Sequence, residues 1–472
     1  MGTLLRSLTA LVASGVFLAA VATDAAGKST KHLKHKTGRT ADVPVKASAV
    51  KANAKRAKAI KASATRAKAT KATAVKPVAV KASVVKANSV RANTARTSGI
   101  TESYTDSGPE PLLARVFDAI EANKLELAMQ QTDTLIKAYP NFRLAHLVRG
   151  DLLLARSRAL TAFGEGGGPA SGEKVADLRD EAIVRLKSYR TKPPTDYVPR
   201  YLLQMNPEQK HAVVVDTQKS RLYLYQNDNG TPRFVADYYI SQGKLGADKT
   251  REGDRKTPIG VYHVTSSMPR QKLGDFYGSG AFPINYPNEW DKRQGRDGHG
   301  IWLHGTPSDT FSRPPKASDG CVVLANQDLD ALSKSLQIGL TPVIISNSIE
   351  WLSLDDWQSE RTALLKMIEE WRQDWESLNV DRYATHYSHK FNVGGQGYQG
   401  WIEHKRKVNA GKSWIKMSTG NISMFRNPGK EEYVVVTFDQ DYRSSNLSGQ
   451  MKKRQYWIKE SGRWKIVFEG AA

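Results

Sequence analysis

The sequence predicts a multidomain protein. A mostly-β domain lies between an N-terminal α-helical module and a C-terminal α+β unit, behind a basic low-complexity leader. Three observations carry this. Apolar residues recur at helical spacing before Arg190. From His211 they gather into short β-branched runs bounded by Gly and Pro. After Ser348 one long amphipathic stretch is followed by further strand-like runs. With 472 residues, 40% of them hydrophobic, the chain has length and apolar content for about three cores.

Residues 1–22 read as a signal peptide. Arg6 supplies the positive start, "SLTALVASGVFLAAVA" the short apolar run, and Ala20-Val21-Ala22 the small-x-small cleavage site. The alternative is an uncleaved anchor, but the apolar run has 16 residues, and a membrane span needs roughly twenty. The expected address is exported, in the periplasm or cell envelope.

Residues 23–105 read as a disordered Lys/Ala-rich tether. Between Gly27 and Ile100 stand 19 Lys and Arg against one acidic residue, Asp42. That segment therefore carries +18 of the formal +23, and the rest of the chain only +5. A basic residue recurs every five positions from Lys46 through Lys51, Arg56 and Lys61 to Arg96. Five helical steps turn roughly 140°, so no single basic face forms, and a strand would alternate faces. With few large apolar residues the segment cannot bury a core. Attraction to an anionic envelope surface is the expected role, and a solubilising spacer the alternative. No nucleic acid is expected, because an exported protein does not meet the chromosome.

Residues 106–200 read as the helical module. Leu112, Leu113, Val116, Phe117 and Ile120 form one apolar stripe. Ala128 and Pro140 stand where a tetratricopeptide-like repeat puts its small residue and its closing proline. Ala162 follows Ala128 by 34 positions, and Gly150 suits a close helix crossing. A plain helical hairpin fits as well. "GEGGGPASGE" reads as a flexible break.

Residues 208–348 read as mostly β. "AVVVDTQKSRLYLYQNDNGTPRFVADYYIS" is strand, turn, strand, with Asn229-Gly230 at a turn. "TPIGVYHVTSS", "GIWLHG", "GCVVL" and "TPVIIS" are further short strands, and "NQDLDALSKSL" a short helix. In 352–470, Leu364, Ile368, Trp371, Trp375 and Leu378 mark a long helix. "WIKMSTGNISMF", "EYVVVTFDQDYR" and "RQYWIKESGRWKIVFEG" follow as strands, the last with a hairpin turn at Ser461-Gly462. Trp371 and Trp375 are expected in the core. His386, His389 and His404 lack the convergent partners a metal site needs, so neither metal nor cofactor is expected.

The chemistry concentrates in "IWLHGTPSDTFSRPPKASDGCVVLAN". Cys321 is the only cysteine. In an oxidising compartment a lone thiol is either an inert buried residue or one kept for its reactivity. His304 ends a strand, and the loop 305–319 can return Cys321 to an adjacent strand, beside an imidazole able to activate it. Gly320 allows close backbone approach, and the amides of Gly320 and Cys321 are candidate oxyanion donors. His299, between Gly298 and Gly300, lies near the expected mouth of the site. His263 is expected to be structural.

His304-Gly305 followed by Ser318-Asp319-Gly320-Cys321, with "GDRKTPIGVYHV" upstream, resembles the signature of the L,D-transpeptidase (YkuD-type) family over about 208–348. The resemblance implies that Cys321 attacks a peptidoglycan stem peptide between an L-diamino acid and its terminal D-alanine. His304 would be the base, the Gly305 carbonyl would orient it, and Ser318 would steady the loop. The acyl-enzyme would pass to an amine, giving a crosslink, or to water, giving trimming. Asp319 stands where many members have a basic residue, and Val323 where many have arginine, so acceptor choice stays open. Arg313 and Lys316 are candidate replacement cations, and His299, Arg313 and Asp319 candidate substrate contacts. The region 352–470 resembles a SnoaL-like, nuclear-transport-factor-type cone, expected to bind a ligand or dimerise. A helical module, a catalytic domain and such a cone occur together in L,D-carboxypeptidases that set cell shape. A homodimer through the helical or C-terminal module is a further expectation. A non-catalytic wall-binding scaffold is the reading from another class.

Overall fold

The computed structural model describes residues 108–168 and 172–472. The expected signal peptide and tether lie outside them. No helix of the described residues is long and apolar enough to cross a membrane.

Four helices build the first module: Pro109–Glu121, Leu125–Ala138, Arg143–Ala155 and Gly172–Arg190. They bury Leu113, Val116, Phe117, Leu135, Phe142, Leu144 and Val148 in one cluster. The second repeat expected at Ala162 does not form, because Ala162 lies in irregular chain between helices. Gly150 does mark a close crossing, but its neighbour is the single 3-10 turn Glu165–Gly167 and not an α-helix. A Cβ on Gly166 would stand 2.6 Å from the Gly150 carbonyl carbon. The first glycines of the expected flexible break are fastened down. The Gly164 and Gly166 amides donate to the buried Asp151 carboxylate at 2.5 and 2.7 Å.

Residues 197–200, counted with the helical module in the sequence, and 201–204 after them fold with the rest of the chain. Tyr197–Pro199 pairs antiparallel with Trp351–Ser353, and Leu202–Gln204 joins the edge of the C-terminal sheet. Isolated segments of three residues carry no period that assigns them to a partner, so only long-range pairing places them.

The central domain has a five-stranded sheet in the order Thr231–Tyr239, Arg221–Asp228, His211–Asp216, Pro342–Ser346, Gly260–His263. Its inner strands are buried on both faces, which explains their unbroken apolar runs. Val213, Val215, Leu222 and Leu224 face the domain's own core. Ala212, Val214, Tyr223 and Tyr225 face a second cluster with Phe425, Tyr433, Val435 and Tyr456 of the C-terminal sheet. Trp290 closes that seam, its ring centroid 4.2 Å from that of Tyr433. A smaller sheet, Val322–Val323, Trp302–His304, Gly280–Pro283, Met268–Pro269, carries His304, and Cys321 leads directly into its first strand.

The C-terminal domain wraps helix Leu354–Glu376 in a sheet of Ile415–Arg426, Tyr433–Ser444, Ser448–Glu460 and Arg463–Ala471. Trp371 and Trp375 lie in its core, 0% and 7% exposed. Leu378 falls beyond the helix, at φ 60°. The interior also holds a charged group: Lys453 meets Glu469 at 3.2 Å, and Glu469 accepts from Tyr387 and Gln455. His386 bonds Asp374 at 2.8 Å, whereas His389 packs on Tyr398 and His404 on Trp401.

Candidate active site

The two residues singled out for chemistry come from neighbouring strands. Trp302–His304 runs parallel to Val322–Val323, with Leu303 opposite Val322 and His304 opposite Val323. Cys321 therefore enters the second strand next to the end of the first. Both side chains line one cleft of about 530 Å³, with His299, Arg313, Ser318 and Asp319 among its walls.

His304 is 1% exposed. Tyr277 meets its ring edge-on at 5.2 Å, and Phe276 lies at 5.9 Å. This burial lowers the imidazole pKa from 6.5 to about 4, against the opposing pull of the Gly305 carbonyl. Nδ1 lies 2.7 Å from that carbonyl oxygen. A carbonyl only accepts, so Nδ1 carries the proton and Nε2 is the basic nitrogen. Burial raises the Cys321 thiol above its ordinary value, while the Trp302 amide and the Arg313 charge pull it down. The thiol donates to the Gly300 carbonyl at 3.3 Å. At neutral pH the pair is thus thiol and neutral imidazole, and the proton moves when substrate is attacked.

Ser318, 3% exposed, closes the turn before the cysteine. Its Oγ donates to the Cys321 carbonyl at 2.7 Å and accepts from the Gly320 amide at 3.1 Å. That second bond occupies the Gly320 amide within the turn. Gly320 has φ 132°, and a Cβ there would stand 2.8 Å from the Lys256 carbonyl oxygen. At Gly305 a Cβ would meet Asn326 Oδ1 at 2.1 Å.

The three candidate substrate contacts differ. Arg313 reaches into the cleft, its guanidinium 4.3 Å above the Phe276 ring and bonded to the Phe276 carbonyl at 3.2 Å. His299 is exposed, 3.5 Å from Glu252. Asp319 is exposed and meets Lys244 at 3.2 Å. Lys316 is exposed on the short strand Lys316–Ser318, and is not among the cleft's lining residues.

Sequence reasoning missed the supports. Asn326 accepts from the Ser279 amide at 2.9 Å and donates to the Thr306 carbonyl at 2.8 Å, tying two loops under His304. Lys249 and Asp254 form a buried pair at 2.8 Å, and Asp254 also accepts from the amides of Thr250, Arg251 and Lys256. The Asp254 turn sits inside "GDRKTP", which was a legible signal, whereas Asn326 reads only as the start of a helix. No group of three or more His, Cys, Asp or Glu among the described residues is arranged to hold a metal ion.

A buried base, a thiol on the adjoining strand and a backbone turn around it are the parts of a cysteine acyl-transfer site. Comparison with known families agrees. Residues 210–345 match the L,D-transpeptidase catalytic domain, YkuD, and residues 363–470 match the Cds6 C-terminal NTF2-like domain. The central domain thus belongs to the L,D-transpeptidase family, whose members act on peptidoglycan, and the cone to the NTF2-like family. Among solved structures, Bd1075 of Bdellovibrio bacteriovorus is 28% identical, with a TM-score of 0.53 over 59% of this chain and 98% of that one. The helical cell shape determining protein Pgp2 of Campylobacter jejuni is 24% identical, with a TM-score of 0.50 over 57% and 95%. It shares the fold. The comparison with curated proteins found no match.

Proposed function

We propose that the protein is an exported L,D-transpeptidase that uses Cys321 to open tetrapeptide stems between the L-diamino acid and terminal D-alanine. The observation that carries this reading is the thiol and the neutral imidazole set on adjacent parallel strands in one cleft. Sγ bonds to the scissile carbonyl carbon as its proton passes to His304 Nε2. The Cys321 amide is the candidate donor to the developing oxyanion. As the C–N bond breaks, Nε2 returns the proton to the leaving D-alanine amine. An acceptor amine then attacks the thioester, loses a proton to Nε2 and restores the thiol.

A second reading keeps the same first half and uses water as acceptor, giving an L,D-carboxypeptidase. It is favoured by the order of helical module, catalytic domain and cone, which resembles that of shape-setting L,D-carboxypeptidases. The C-terminal domain is then a binding or dimerisation module, with the buried Lys453–Glu469 pair in its interior, and the basic leader holds the protein at an anionic envelope surface.

The test is a muropeptide assay with the mature protein and Cys321→Ala. Cys321-dependent dimers from a disaccharide-tetrapeptide, or exchange with an added D-amino acid, establish transpeptidation. Tripeptide without dimer establishes hydrolysis. No change with either protein, together with a Cys321 that resists a thiol reagent, sinks both readings and leaves a scaffold.

A further inference from the structure

The loop from Gly305 to Lys316 sends Arg313 into the cleft, and the helical module holds the loop from outside. Phe311 packs into an aromatic slot, its ring 4.9 Å from Tyr139 and 5.0 Å from Phe142. Its amide donates to the Asn141 carbonyl at 3.3 Å. Ser312 Oγ donates to Glu181 Oε1 at 2.6 Å. Glu181 is itself fixed: it is 1% exposed, and the same oxygen accepts from Arg185 Nε at 2.8 Å. Arg185 stacks on Tyr239 at 3.6 Å, and the Tyr239 hydroxyl donates to the Arg313 carbonyl at 2.9 Å. The loop is gripped at the two residues before the one that points inward and at that residue's own carbonyl.

That residue, Arg313, is half-buried and forms no ion pair with any described residue. Its guanidinium rests on Phe276 and shares the cleft with Cys321 and His304. A guanidinium held in a partly desolvated cleft without a carboxylate is a receptor for one. A stem cut next to its last residue presents an anion near the scissile bond, the terminal carboxylate. We propose that Arg313 receives the terminal D-alanine carboxylate, and that the helical module is a positioning device that presents Arg313 through the Ser312–Glu181 bond and the Phe311 slot. This rests on the donor proposed above and holds for either acceptor.

The experiment compares the full mature chain on three donors. One is disaccharide-tetrapeptide, one its C-terminal carboxamide, and one is amidated at the side-chain carboxylate of a diaminopimelate residue. The wild type is expected to favour the free C-terminal carboxylate over its amide by roughly 10- to 100-fold in kcat/KM, the range of one charge-assisted contact. Arg313→Gln should erase that preference. Ser312→Ala should reduce it severalfold through KM for the carboxylate donor, leaving the carboxamide donor unchanged, and Ser312→Thr should restore it. Phe311→Leu should act like Ser312→Ala. Thermal unfolding reports whether each variant is folded. Equal losses on both donors in folded Ser312→Ala and Phe311→Leu, or a preference that survives Arg313→Gln, overturn the proposal. So does a preference that follows the side-chain carboxylate instead. A wild type that releases no D-alanine from any donor fails the donor reading itself, a result distinct from these.

Discussion

At the scale of single residues, the site stores no charge before substrate arrives. Burial pushes the His304 imidazole down to about 4 and the Cys321 thiol upward. The base is therefore competent wherever His304 is neutral. The acid limb of kcat/KM is expected near pH 4 to 5, not near 6.5, and a limb at 6.5 would show that burial does not depress the His304 imidazole in the free enzyme. Stability runs differently. His304 and His263 both have folded pKa values of about 4, below the ordinary 6.5. For these two groups the unfolded chain binds protons that the folded chain refuses, so their contribution to unfolding free energy should fall as pH drops from about 6.5 through 4, while Asp328, raised to about 7 by burial, contributes in the opposite sense. Chemical denaturation of the wild type and a His263→Gln variant at pH 7, 5.5 and 4.5 isolates the histidine part, and a difference between the two that stays constant across the three pH values would refute it. Cys321 and His304 were legible as a pair because their residue types and spacing are rare. Their protonation was not, because it depends on Phe276 and Tyr277, which come from a segment that carries no chemical signal.

At the scale of elements, glycine and asparagine decide how the signature strands are seated. Gly305→Ala would push a Cβ into Asn326 Oδ1, and the loops under His304 must shift to admit it. A loss of about 1–3 kcal/mol in stability is expected, with a larger proportional fall in kcat than in KM, measured by urea unfolding and steady-state kinetics. Helix Leu354–Glu376 starts at Ser353, whose side chain accepts from the Asp356 amide at 3.1 Å. Ser353→Ala should cost about 1 kcal/mol and leave the chemistry intact. The long helix was legible from Leu364, Ile368, Trp371 and Trp375 because a 3.6-residue period is a strong signal over many turns. The strands of two or three residues, such as Val322–Val323 and Leu202–Gln204, carry no such period. Whether the Gly320 amide is free is hidden for a related reason: it depends on where Ser318 Oγ points, and that is set by the turn.

At the scale of the molecule, the five-stranded sheet of the central domain and the cone share a core. Trp290 stands in the seam with Tyr433 and Tyr456. Trp290→Ala should cost about 3–5 kcal/mol and move one cooperative transition that spans both domains. Two separate calorimetric transitions in the wild type would contradict a shared core. The basic leader is expected to act by charge alone, so wall association should weaken at high ionic strength, and deletion of residues 27–100 should abolish that dependence.

The sequence by itself determined the order of helical, mostly-β and α+β parts, the family of the central domain, and the thiol and imidazole that the fold brings into one cleft. These follow from local patterns: the period of apolar residues, the glycines beside the strands, and a lone thiol downstream of a histidine. Only the tertiary structure decided that residues 197–204 fold with the C-terminal half, that Lys316 lies away from the cleft while Arg313 enters it, and that the helical module grips the active-site wall. Each of these is a contact between segments far apart in the chain. Residue type and spacing are silent about such contacts, because burial and pairing across the fold set which side chains meet.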